Sequence, residues 1–251
     1  MKNLILSLAA AGLLTVSASA ITKTLTFDEG ALAHGKIVTN DFESSHGVVI
    51  SGLNNDNGLE LAVLFNSELT DTRDPDLQRT GYGTDKDAWD GGNLDKDTVL
   101  NRLLIVQENN TGTRDGVADL PDDEGTRFSN KYTGVLTFDF VQSIFSFGLD
   151  LIDVEGVRTP EDGALKFFSG LNSVTVGFDS LGVTDWGDNK INRVSPILAS
   201  DHNLTSFDKV EVHLGGSGAV DNITWTVPDS GSTLGLAGLA LLGLAAMRRR
   251  R

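Results

Sequence analysis

The sequence has no cysteine, and only five prolines, two methionines and two tyrosines among its 251 residues. Without cysteine there are no disulfides, no thiolate metal sites and no cysteine nucleophile. Five prolines beside 28 glycines point to many tight turns and exclude a proline-rich linker. Positive charge is also scarce. With Lys2, Asp229 and the four terminal arginines set aside, 15 basic residues face 34 acidic ones, a charge of −19. A field of that sign repels phosphate backbones, which excludes nucleic acid and makes cations the natural partners. The four histidines (His34, His46, His202 and His213) show no His-x-x-x-His spacing. Gly215-Gly216-Ser217-Gly218-Ala219 misses a nucleophile elbow at its last position. Paired carboxylates for glycoside hydrolysis are not marked by any strand motif. The sequence therefore reads as that of a non-enzyme. Hydrophobic residues make up 39%, enough to build a core rather than a disordered chain.

The two ends differ from everything between them. Lys2 precedes an apolar run from Leu4 to Val16, and Ser17-Ala18-Ser19-Ala20 ends in a small-x-small pattern. This is the form of a signal peptide over 1–20, in which Ala18 and Ala20 supply the small side chains that signal peptidase accepts, so that the mature chain starts at Ile21. At the other end, Val227-Pro228-Asp229-Ser230-Gly231 leads to an apolar stretch, Leu234 to Met247, and then to Arg248, Arg249, Arg250 and Arg251. Fourteen apolar residues fall short of the ~20 of a comfortable span. Four arginines hold their end on the cytoplasmic side. A short span with an arginine stop suits a temporary anchor better than a permanent one.

Between the ends, hydrophobic residues recur at every second position. Leu25 and Phe27 form one such file; others are Leu59, Leu61, Val63 and Phe65; Leu136, Phe138 and Phe140; and Phe145, Phe147, Leu149 and Leu151. Val174, Val176 and Phe178, then Val210, Val212 and Leu214, then Ile223, Trp225 and Val227 complete the set. Runs of this length, bounded by Gly, Asn, Asp or Ser, predict an all-β fold: an antiparallel, jelly-roll-like β-sandwich over 21–226. A signal helix and a C-terminal hydrophobic helix (within 227–251) flank it. Residues 66–131 are polar, with one clear strand from Val99 to Val106, and read as a long loop region that needs something to order it.

The C-terminal end, in all three of its parts, closely resembles the PEP-CTERM class of sorting signals in the variant that opens Val-Pro-Asp-Ser-Gly. The resemblance implies a Gram-negative bacterium, export, transient residence in the inner membrane and recognition by an exosortase. Such proteins are associated with the cell surface and extracellular polysaccharide. The core resembles a group of exported bacterial β-rich domains. It does so at Val63-Leu64-Phe65-Asn66 leading to Asp74-Pro75-Asp76-Leu77, at Leu103-Leu104-Ile105-Val106-Gln107-Glu108, at Pro121-Asp122-Asp123-Glu124, at Ser146-Phe147-Gly148-Leu149-Asp150-Leu151-Ile152-Asp153-Val154-Glu155 and at Gly216-Ser217-Gly218-Ala219-Val220-Asp221-Asn222-Ile223. It departs from that group where Gly125 leads into Thr126-Arg127.

Asp74, Asp76, Glu108, Asp122 and Asp123 match that group's motifs and lie in or beside loops, so they are the candidate ligands for Ca²⁺, which takes six to eight oxygens. Asp28 and Asp221, at the first and last strands, form a second acidic pair; alone, Asp221 with Asn222 reads as a turn. Asn93-x-Asp95-x-Asp97 begins like an EF-hand loop but has Thr98 and Leu104 where Gly and Glu belong, and reads as a turn before a strand. Trp225 sits in a core file. Trp89 and Trp186 lie in Gly/Asp loops and are candidate stacking platforms for sugar rings. His213 alternates outward and is expected to be exposed. The expected function is that of an exported, non-catalytic envelope or matrix protein sorted by an exosortase. A Ca²⁺-dependent carbohydrate-binding module is the alternative, and a polysaccharide hydrolase the third.

Overall fold

A computed structural model describes residues 20–70, 72, 74–80, 89–108, 132–154, 157 and 163–229. Backbone contacts divide the chain into a unit Thr22–Val227 and a second made of Met1–Ile21 and Pro228–Arg251. Both terminal helices expected from the sequence fall outside the described residues. Among the described ones no helix is long and apolar enough to cross a membrane.

Among the described residues, twelve strands form two sheets. The first has the order β10-β7-β12-β5-β4-β2, with β1 also beside β12. It is built from β1 (Ala20–Leu25), β2 (Ile37–Val38), β4 (Ala62–Asn66), β5 (Arg102–Val106), β7 (Ser146–Ile152), β10 (Ile191–Leu198) and β12 (Ala219–Pro228). The second has the order β3-β6-β11-β8-β9: β3 (Val48–Asn54), β6 (Gly134–Ile144), β8 (Gly163–Ser169), β9 (Asn172–Gly177) and β11 (Phe207–Leu214). The ladders are antiparallel, as at Val210↔Phe138 and Leu64↔Leu104. Helix among the described residues is one turn, Glu43–His46, and three short 3-10 segments. The long segments without a 3.6-residue period thus become strands, as their period of two requires.

The inner faces meet in the main core. Leu136, Phe138, Val210 and Val212 of one sheet pack with Leu64, Leu104, Phe147, Leu149, Ile223 and Trp225 of the other. Aromatic rings tie the layers together: Phe138 to Phe147 at 5.8 Å, Phe147 to Phe167 at 6.2 Å, and Phe140 to Trp225 at 5.5 Å between centroids. Two details differ from the periodic files. β1 ends at Leu25, and Phe27 enters the core through a left-handed φ of 59°. Phe145 lies at the corner between β6 and β7 and stays partly exposed.

A second core covers the outer face of the larger sheet. Val63, Phe65, Leu103, Ile105, Ile152 and Ile191 point to it from the strands, and Leu77, Trp89 and Leu100 cover them from the polar insertion. The file Val63 and Phe65 therefore faces outward, and Ala62 and Leu64 are the ones that face the other sheet. Strands β4, β5 and β7 are buried on both sides for this reason. Apolar plugs order the described parts of the insertion, helped by side-chain turns. Asp74 Oδ1 accepts from the backbone N–H of Asp76 (2.9 Å) and Leu77 (3.3 Å), and Asp95 Oδ1 accepts from Asp97 N–H at 2.8 Å. The Asn93–Asp97 segment is accordingly a turn. Next to it the insertion lies flat against β10: Leu94 N–H donates to Ile191 O at 3.2 Å, and Asn93 exchanges side-chain bonds with the backbone of Arg193. Only glycine fits at Gly92, where φ is 122° and a Cβ would stand 2.3 Å from Ile191 O.

Candidate functional site

Of the sorting residues, Val227 is a core residue and Pro228 the last of β12; Asp229 follows it. Ala20 opens β1. Ala18, Ser230, Gly231, Asp122, Asp123 and Arg248, Arg249, Arg250 and Arg251 lie outside the described residues.

The acidic residues of the core divide into two clusters. In the first, Asp153 follows β7 with a left-handed φ of 57° and no exposure. Its Oδ1 accepts the Asn189 N–H (2.8 Å) and its Oδ2 the Ser217 hydroxyl (3.1 Å). Burial lifts its pKa well above the carboxylate range, and the charges of Asp74 and Asp76 push the same way against those two hydrogen bonds. The structure thus brings Asp74 and Asp76 toward Asp153, which the ligand set read from the sequence did not contain. Glu108 sits over the β3–β4 turn, its carbonyl accepting from Asn54 Nδ2 (3.1 Å) and Asn57 Nδ2 (2.6 Å). Among the described residues no three metal-ligating side chains converge on one point. Asp74 Oδ1 and both Asp153 oxygens accept hydrogen bonds. We expect equal melting temperatures in millimolar Ca²⁺ and in chelator at matched ionic strength, measured by scanning calorimetry. A rise with Ca²⁺ alone would show that a Ca²⁺ site forms.

The second cluster lies where β12 passes from β5 to β1. Asp150 is fully buried and accepts from Arg193 Nε and Nη2, each at 2.7 Å, and from Asn222 Nδ2 at 2.8 Å. Asn222, with φ 48°, forms a bulge within β12 between Asp221 and Thr224 rather than a turn at its end. Asp221 is 2% exposed and its Oδ1 has no partner. Burial, and then the charges of Asp150, Asp28 and Glu29, raise its pKa to about 9, so it holds its proton at neutral pH. Asp28 accepts from Asn101 Nδ2 at 2.9 Å and pairs with Arg102 at 3.5 Å. None of these acids was singled out from the sequence except Asp28 and Asp221. Asp150 occupies an outward position of its strand, which looks solvated until the outer face proves to be covered.

The tryptophans are placed differently from the expectation. Trp89 is 3% exposed, sealed in the second core, and presents no face to a ligand. Trp186 stacks one face on Phe178 (5.9 Å, 13°) and packs on the main core. Hydrophobic contact draws both rings inward from polar loops. His213 is half-buried rather than exposed: Tyr132 lies edge-on at 4.6 Å, and Glu211 bonds its Nε2 at 3.0 Å. Burial lowers its pKa and Glu211 opposes that shift.

Residues 226–251 match the VPDSG-CTERM motif. No curated protein matches the chain. Among solved structures, the chain is similar to the K2 cleaved adhesin domain of Lys-gingipain. The match covers 82% of this chain and 99% of that one, with 13% identity and a TM-score of 0.38, too low to transfer any role. The chain carries a PEP-CTERM-type sorting signal, the mark of an exported and sorted protein.

Proposed function

We propose that this is a non-catalytic β-sandwich delivered to the cell surface or polysaccharide matrix of a Gram-negative bacterium by exosortase processing. The observation that carries the proposal is the matched signal and its position: β12 ends at Pro228, the second residue of the motif. Val227, the last core residue, is already buried before the motif continues. A cut beyond it removes the apolar stretch and the arginines and takes no strand from the sandwich. The inner membrane holds the precursor until that cut. The arginine-rich end acts as its stop.

Replacing Pro228 and Asp229 together by Ala leaves uncut precursor in the inner membrane, read by mass spectrometry of fractionated cells. Replacing the four terminal arginines by Ser loosens the stop and lowers the yield of processed protein. If the Pro228/Asp229 variant matures to the wild-type mass, another element is recognised. Val227 is a poor probe, because its truncation also opens the core.

A further inference from the structure

We propose that a groove on the outer face of the larger sheet binds one ring of a neutral, polyhydroxylated sugar. The groove of about 350 Å³ crosses β1, β12, β7 and β10, and its rim includes Thr22, Thr24, Thr224, Asn222, Arg193 and Pro196. The backbone of Leu149 and Val194 lies in its floor, their side chains being turned into the main core. Gly148 keeps that floor low: a Cβ there would stand 2.9 Å from Thr224 Oγ1 and 3.0 Å from Val194 O. The volume lies at the small end of the range for small-molecule sites, which fix a ligand with a few placed polar groups.

The polar groups set the ligand class. Each threonine hydroxyl both donates and accepts, as a sugar hydroxyl does. Arg193 is held flat by Asp150, which is fully buried, while its own side chain is 54% exposed. Two of its nitrogens bond Asp150, and its remaining N–H groups are left to meet an oxygen ligand. Asp150 already balances its charge, so the groove is close to neutral. A phosphate, sulfate or uronate would also have to enter the field of a core carrying −19. Hydroxyls without net charge fit both conditions. This site is distinct from Trp89 and Trp186, and it does not depend on how the protein is sorted.

The test is calorimetric titration of the full chain, purified in a detergent without a sugar headgroup. Neutral gluco- and manno-oligosaccharides are compared with an oligogalacturonate. Saturable binding of a neutral oligosaccharide is expected. Thr22→Val with Thr24→Val should weaken it about tenfold, the worth of two ordinary hydrogen bonds. Both positions are exposed on β1, and valine suits a strand, so the melting temperature should stay unchanged. Trp186→Ala should leave the affinity unchanged. Three results overturn the proposal: no neutral oligosaccharide binds, the galacturonate alone binds, or the double valine variant binds as well as the wild type. Maturation in cells is read separately, so failure of the groove leaves the sorting proposal standing.

Discussion

Asp221→Asn is expected to stabilise the protein by about 4 kcal/mol at pH 7, given a folded pKa of about 9 and an unfolded one near 3.9. The sign follows from which state holds the proton. Below about pH 4 both states are protonated and the group has no effect on stability. As pH rises, the unfolded chain ionises while the folded one keeps its proton. Each pH unit then removes about 1.4 kcal/mol of stability, until the folded carboxyl also ionises near pH 9. Asparagine has no proton to hold and nearly the same shape. The charges of Asp150, Asp28 and Glu29, which raise the Asp221 pKa, have no ionisation to oppose in a neutral amide. Urea unfolding at pH 5 and pH 8 checks the effect: the gap between variant and wild type should widen by about 4 kcal/mol over that range. A gap that does not change with pH would mean that Asp221 is ionised in the folded protein.

Trp89→Ala is expected to lose about 3–5 kcal/mol, the usual effect of truncating a buried tryptophan. The ring closes the second core together with Leu77 and Leu100, over Val63, Phe65 and Ile105. Its removal leaves a cavity that the strands beneath cannot fill, because β4 and β5 are already packed on their other face. For a domain near 200 residues the melting temperature should fall by about 6–20 °C, at about 2–4 °C per kcal/mol. Leu171→Ala, at a fully exposed position, serves as the control and should change nothing. An unchanged melting temperature for the Trp89 variant would free the ring for the ligand-stacking role that its polar loop suggested.

The sequence by itself determined the parts that are local or linear. The signal at 226–251 is legible because it is a linear motif, visible along the chain without reference to any remote segment. The strands are legible because a period of two belongs to one strand and needs no partner to be seen. Tertiary structure alone decided which side of each strand is covered. Alternation marked Val63 and Phe65 as buried but could not tell the inner face from the outer, since Leu77 and Trp89, which cover them, arrive from a distant loop. The same long-range covering made Asp150, Asp153 and Asp221 buried acids. It also drew the tryptophan rings inward and set β1 beside β12 to make the groove. Burial depends on which remote segment covers a residue, and a single chain's residue pattern does not contain that pairing.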